Sequence, residues 1–150
     1  MQEKSRALNE ALQKLAVFVG TWEGSGTFLE GAGPGAGSAL KTREAYEWLP
    51  GGFFLTDNSS LQFGPGALEA HRVIGYDEES GKYVMHAFDS IGFAREYKGE
   101  AKGDIWHFSG EFERVTLTFS EGSEQLATFW ENSTDGKHWQ PLCKTEQRKK

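Results

Sequence analysis

Gly20-Thr21-Trp22-Glu23-Gly24-Ser25-Gly26 is the stretch that decides the fold. A short amphipathic segment runs directly into it. Gly20 lets the chain turn sharply out of a helix, Trp22 supplies a large inward ring, and Gly24 and Gly26 omit side chains where a tightly coiled strand has to bend. The pattern reads as a plug helix feeding the first strand of a closed β-barrel. Upstream, Leu8, Leu12, Leu15 and Ala16 recur at helical spacing, with Glu3, Lys4, Arg6 and Lys14 among the intervening positions. One face of a helix within residues 1–19 is therefore expected to pack on the barrel, with Gly20 ending it.

Downstream, short aromatic-rich segments alternate with turn-forming clusters. Strands are expected at 22–29, 39–48, 53–62, 68–76, 82–89, 93–98, 104–111, 114–119, 125–132 and 137–145. Between them lie Pro50-Gly51-Gly52, Gly64-Pro65-Gly66, Glu121-Gly122 and Thr134-Asp135-Gly136, all suited to tight turns. Sequential hairpins make a meander, and a meander this long leaves two unpaired edges unless it closes. The expected fold is mainly β: a single closed antiparallel up-and-down barrel of about ten strands, residues 22–145, with the N-terminal helix covering one mouth. Gly31-Ala32-Gly33-Pro34-Gly35-Ala36-Gly37 breaks the rule of short turns. It reads either as a lid over a mouth or as a plain flexible loop.

The 150 residues suit one domain, residues 1–150, with its own core. Sixteen Lys and Arg against 22 Asp and Glu give a net charge of −6. That is the wrong sign for gripping a phosphate backbone or an anionic membrane surface, so no nucleic-acid partner is expected. No apolar run approaches the roughly 20 residues of a membrane span, and the N-terminus lacks a signal-peptide core. A lone cysteine, Cys143, has no internal disulfide partner. A soluble, cytoplasmic protein is expected.

The helix, the Gly-Thr-Trp-x-Gly-x-Gly stretch, Gly75-Tyr76-Asp77 followed by Gly81-Lys82-Tyr83, and Asp89-Ser90 together resemble a family of small bacterial proteins of unknown function with calycin (lipocalin-like) barrels. The resemblance covers nearly the whole chain. More distantly, Gly-x-Trp after a short helix is similar to lipocalins, fatty-acid carriers and nitrobindins, which bind small apolar molecules or haem. In those families a basic residue from the end of the last strand covers the Trp at the barrel base. The resemblance implies Trp22 and Arg148 for that pair, a structural contact of about 1 kcal/mol, with Lys144 as the other candidate.

Strand alternation is the remaining handle on function. Val115, Leu117 and Phe119 form one apolar face against Arg114, Thr116 and Thr118. Tyr46 and Trp48 face inward on the same logic, and Glu44 shares their side. Phe93, Arg95 and Tyr97 share a face, which would carry an arginine into the barrel beside two rings. Such an arginine needs an anion, either a ligand carboxylate shared with the Tyr97 hydroxyl or an internal partner such as Asp89 or Glu44; the other alternative is that Arg95 simply lies at the surface. Trp106 shares a side with Phe108, opposite Ile105 and His107, and the sequence leaves open which side is inner. Apolar residues on both faces of 125–132 leave room for cover by the helix or by a second copy, so a homodimer is one expectation.

The histidines, His71, His86, His107 and His138, fall on separate segments in no metal-binding spacing. His86, flanked at alternate positions by Val84 and Phe88, is the candidate for a haem ligand or a proton carrier. Asp89 is a candidate acid or base, although Asp89-Ser90 also suits a turn. Thr145 to Lys150 contains no histidine, which departs from the nitrobindin pattern. No nucleophile elbow, phosphate loop or zinc spacing occurs, so no catalytic residue is assigned. The leading expectation is a binding barrel for a small hydrophobic or amphipathic, carboxylate-bearing molecule, lined by Tyr46, Trp48, Phe54, Met85, His86, Arg95, Tyr97 and Trp106, with no metal or required cofactor. The alternatives are a haem or acid-base enzyme using the same cavity, and a filled barrel with a structural or interaction role.

Overall fold

The computed structural model describes residues 4–150. Ser5 starts the helix by accepting a hydrogen bond at its Oγ from the Leu8 amide, 3.0 Å away, which satisfies one of the free N–H groups of the first turn. Helix α1 (Arg6–Leu15) then buries Ala11, Leu12 and Leu15. It is shorter than the sequence pattern suggests, because the chain tightens into one 3-10 turn, Ala16–Phe18, before the barrel begins. Glu3, placed on the helix by the sequence reading, lies outside the described residues.

Ten strands follow: β1 (Gly20–Phe28), β2 (Ala39–Trp48), β3 (Leu55–Phe63), β4 (Gly66–Asp77), β5 (Lys82–Asp89), β6 (Ala94–Lys102), β7 (Ile105–Ser109), β8 (Glu113–Phe119), β9 (Gln125–Asn132) and β10 (Gln140–Lys149). Each pairs antiparallel with its sequence neighbours, and β1 pairs with β10, so the sheet closes without an edge. The expected ten-stranded up-and-down barrel is the observed one. Its wall begins at Gly20 and ends at Lys149, wider than the expected 22–145. No helix among the described residues is long and apolar enough to cross a membrane.

The helical end is sealed by rings. Phe18 meets Phe119 at 4.9 Å and Trp106 at 5.0 Å, both edge to face, and Trp22 is fully buried beside Phe119. Two polar ring atoms tie this stack to the backbone above it. Trp22 Nε1 donates to the Phe18 carbonyl at 2.8 Å, and Tyr83 Oη donates to the Ala11 carbonyl at 2.7 Å. Helix α1 and the 3-10 turn that follows it are thereby each fastened over the mouth by one hydrogen bond that needs no solvent. Burial also pushes the Tyr83 hydroxyl up to about 12.

The cation above Trp22 is Lys149, whose Nζ stands 5.8 Å from the ring centroid. Arg148, the residue matched by resemblance, points outward and is exposed. The reason is register. Trp22 pairs directly with Lys149 across β1 and β10, and β10 alternates Cys143, Thr145 and Gln147 inward against Lys144, Glu146 and Arg148 outward. Lys144 is excluded by the same alternation.

At the opposite end the chain between β1 and β2 folds into short turns, and residues 31–37 line neither of the two cavities described below. Glu30–Gly35 forms short 3-10 turns broken at Gly33, which adopts φ +64°. These turns are fixed to β10 by the Leu29 amide donating to the Leu142 carbonyl at 2.8 Å, and to β9 by Asn132 Nδ2 donating to the Gly31 carbonyl at 3.1 Å.

Candidate functional site

The barrel is filled at its helical end and open at the other. The open end holds a cavity of about 430 Å³, within the roughly 300–1,000 Å³ usual for small-molecule sites. Leu61, Phe63, Leu68, Ile91, Phe93 and Leu142 supply apolar walls, while Arg72, Arg95, Tyr97 and Glu113 supply polar groups. Beneath it lies a second cavity of about 60 Å³ that shares Leu61, Arg72, Trp130 and Cys143 with the first. It exceeds the about 10–15 Å³ that one water molecule needs.

Arg95 and Tyr97 do face inward, as strand alternation predicts. Their partner is Glu113, on β8. The Arg95 guanidinium is ion-paired to Glu113 Oε2, and Tyr97 Oη donates to Glu113 Oε1 at 3.4 Å. Burial, reinforced by the Glu113 charge, pushes the Tyr97 hydroxyl up to about 12. Phe93 sits at the rim, half exposed, with the Arg95 guanidinium 4.3 Å from its ring centre. The internal partner is thus neither Asp89 nor Glu44. Asp89 Oδ1 accepts from the Ile91 and Phe93 amides at 3.1 and 3.0 Å, the geometry of a turn former.

Deeper in, β2, β3, β4 and β10 bring together Glu44, Asp57, Arg72 and Gln147. Arg72 Nη1 donates to Asp57 Oδ2 at 3.1 Å and to Glu44 Oε1 at 3.3 Å, and Gln147 Nε2 donates to Glu44 Oε2 at 2.8 Å. Tyr46 Oη donates to Glu44 Oε1 at 3.5 Å. The Arg72 guanidinium also lies 5.6 Å from the Trp130 ring centre. Sequence reading missed Asp57 and Arg72. The available signal was parity: Arg72 alternates with Leu68, Ala70 and Ile74, and Asp57 with Leu55, Ser59 and Leu61.

Two carboxyl groups share one guanidinium here. Asp57 is fully buried, and burial first, then the Glu44 charge, holds its carboxyl well above the usual carboxylate range against the pull of Arg72. Its Oδ1 lacks a hydrogen-bond partner, which a neutral carboxyl tolerates better than a carboxylate does. Arg72 is held charged: burial opposes the proton, but Asp57 and Glu44 outweigh it. Tyr46 is raised well above its usual value by burial and by the Asp57 and Glu44 charges.

The sign of the resulting pH dependence follows directly. A carboxyl raised on folding favours the fold below its unfolded value, about 3.9, and that contribution is lost as pH rises through the folded value. Asp57→Asn removes the ionisation while leaving Arg72 to Glu44. It is expected to melt with wild-type stability near pH 4 and above the wild type near pH 8. Thermal denaturation at the two pH values checks this, and a variant less stable than wild type at pH 8 refutes it.

The remaining expected site residues divide. Tyr46 and Met85 line the inner cavity. Trp106 packs with Phe108 on the inward face but belongs to the sealed ring stack and lines neither cavity. Trp48 is partly buried against the core at the helical end. Phe54 is a correction: it precedes β3, is half exposed, and lies outside across Gly75, where a Cβ would stand 2.7 Å from its ring. His86 is another correction. On β5 it is Tyr83 and Met85 that are buried, so His86 projects outward with Val84 and Phe88. All four histidines are exposed and none lines either cavity, so His86 does not fit a haem held inside the barrel. Among the described residues no group of three or more His, Cys, Asp or Glu could hold a metal ion. Cys143 is buried between the two cavities, and burial, with the Glu113 charge, pushes its thiol up to about 12, far from the range of a nucleophilic cysteine.

The sequence matches the model of a family described as "Protein of unknown function (DUF1579)" over residues 9–134. No curated protein matches it. Among solved structures, the crystal structure of Rv2717c from M. tuberculosis superposes with a TM-score of 0.73 at 12% identity, covering 99% of both chains. A de novo designed fluorescence-activating β-barrel is similar with a TM-score of 0.49 at 14% identity over 89% of this chain and 94% of that one. At such identities the likeness to Rv2717c is one of fold.

Proposed function

This chain belongs to the DUF1579 family of proteins of unknown function, and from that premise we propose that it binds a small hydrophobic or amphipathic molecule in the open half of its barrel. One observation carries the reading. The aromatic stack fills only the helical end, and the other end retains about 430 Å³ with apolar walls and a few convergent polar groups. A barrel serving only as a rigid scaffold would gain stability by filling that space with side chains.

The test fills the space directly. Ala87 lines the open cavity, and Ala87→Trp places an indole there. Titration with Nile red, a neutral apolar dye, is expected to show binding to the wild type and a loss of about tenfold or more in the variant, an effect of roughly 1.4 kcal/mol. Native mass spectrometry of protein purified without added ligand gives the companion readout: extra mass on the wild type, absent from the variant. A wild type that takes up no dye and carries no extra mass refutes the reading.

A further inference from the structure

Two guanidiniums line the open half of the barrel, and each already has an acidic partner. Arg72 is held by Glu44 and Asp57, and Arg95 by Glu113. Carboxyl groups therefore outnumber guanidiniums in the interior, and the carboxylate ligand that an inward arginine first suggests has no vacant counter-ion.

The Arg95–Glu113 pair still has hydrogen-bonding capacity. Arg95 uses Nη1 toward Glu113 Oε2, and Glu113 Oε1 is met only by the long contact from Tyr97. A guanidinium carries five N–H donors and a carboxylate about four lone-pair sites, so unused donors and acceptors stand side by side. Both residues line the open cavity and neither is fully buried. A carboxylate head would accept from Arg95 but set its charge against Glu113. An ammonium head would donate to Glu113 but face Arg95. A hydroxyl or carboxamide both donates and accepts, and answers the pair without adding charge to a partly desolvated site.

Resting on the proposed reading of this cavity as a ligand site, we infer that its occupant is a neutral amphiphile whose hydroxyl or carboxamide head sits on the Arg95–Glu113 pair. Its apolar part lies against Phe63, Leu68, Ile91 and Leu142, which complete the cavity wall. Glu113 is then a specificity-determining residue that turns away carboxylates of the same chain length.

Calorimetric titration with decanol, decanoate and decylamine at neutral pH tests this on one alkyl chain. Decanol is expected to bind about tenfold or more tighter than either ion, the scale of an uncompensated charge at such a site. Glu113→Gln keeps the size of the side chain but frees Arg95. It is expected to strengthen decanoate binding by about tenfold and so to narrow or reverse the preference for decanol; a Glu113→Gln protein that ranks the three ligands as the wild type does also overturns the inference. Decanoate binding as tightly as decanol to the wild type overturns the inference. So does binding of none of the three when Nile red still binds, an outcome that leaves the ligand-site reading standing. Loss of Nile red binding as well removes both. Should Glu113→Gln not fold, the wild-type ranking alone decides.

Discussion

Alanine in place of Gly24 is expected to cost the fold about 3 kcal/mol or more, the upper range for overpacking. A Cβ at Gly24 would stand 1.9 Å from the Glu146 carbonyl oxygen and 2.7 Å from the Gln147 Cα. Both atoms are backbone, so no side chain can swing aside, and relief requires β10 to move away from β1. That is the seam at which the barrel closes. The sign is informative, because glycine inside a strand ordinarily weakens it by about 0.5–1 kcal/mol relative to alanine. Propensity alone therefore predicts a more stable protein. Gly35→Ala is the control: a Cβ there meets nothing within 4 Å, and its effect should stay within about 0.5 kcal/mol. Urea denaturation followed by circular dichroism measures both. A Gly24→Ala protein as stable as the wild type would show that the seam is looser than described.

Removing the guanidinium at Arg72 is the second large effect. Arg72→Leu is expected to destabilise the protein by about 3–5 kcal/mol at neutral pH, the cost of stranding buried charge. It leaves Glu44 and Asp57 with no cation in contact and removes the cation above Trp130. The deficit should be smallest near pH 4 and grow with pH. Without Arg72 the charge that opposes the rise of the buried Asp57 carboxyl is gone, and the benefit of a raised carboxyl is lost as pH rises through its folded value. Adding Asp57→Asn should restore part of the loss, since the two sites share a partner and are not additive. Denaturation of the single and double variants across this pH range measures the effect. A loss below about 1 kcal/mol at neutral pH would mean that water reaches the cluster and screens it.

The architecture was largely legible because its signals are local. Trp22 between glycines, the 3.6-residue spacing of Leu8, Leu12 and Leu15, and the strict alternation of Val115, Leu117 and Phe119 each follow from short-range geometry. Alternation failed where both faces of a strand carry apolar groups. On β5, Val84 and Phe88 look as inward as Met85, and they drew His86 with them. On β10 a one-residue difference separated Arg148 from Lys149, and only pairing with Trp22 decides between them. The polar cluster shows a different limit. Arg72 and Asp57 occupy inward positions that hydrophobicity assigns to neither, because a buried ion pair depends on partners on other strands. Glu113 was hidden in the same way: it is the first residue of β8, and what makes it matter is Arg95, eighteen positions earlier in the chain.

Helix α1 and the ring stack beneath it make the barrel a cup and not a conduit. Whatever settles inside must leave by the way it came, past the rim formed by the hairpin ends. Arrival and departure then cross a single shared barrier. A change that eases the passage without touching the settled molecule hastens both by one factor and leaves occupancy at equilibrium unaltered. Under the proposed ligand-binding reading, how much the protein holds and how quickly it exchanges its contents are thus set by different residues: the first by the walls around Arg95 and Glu113, the second by the rim.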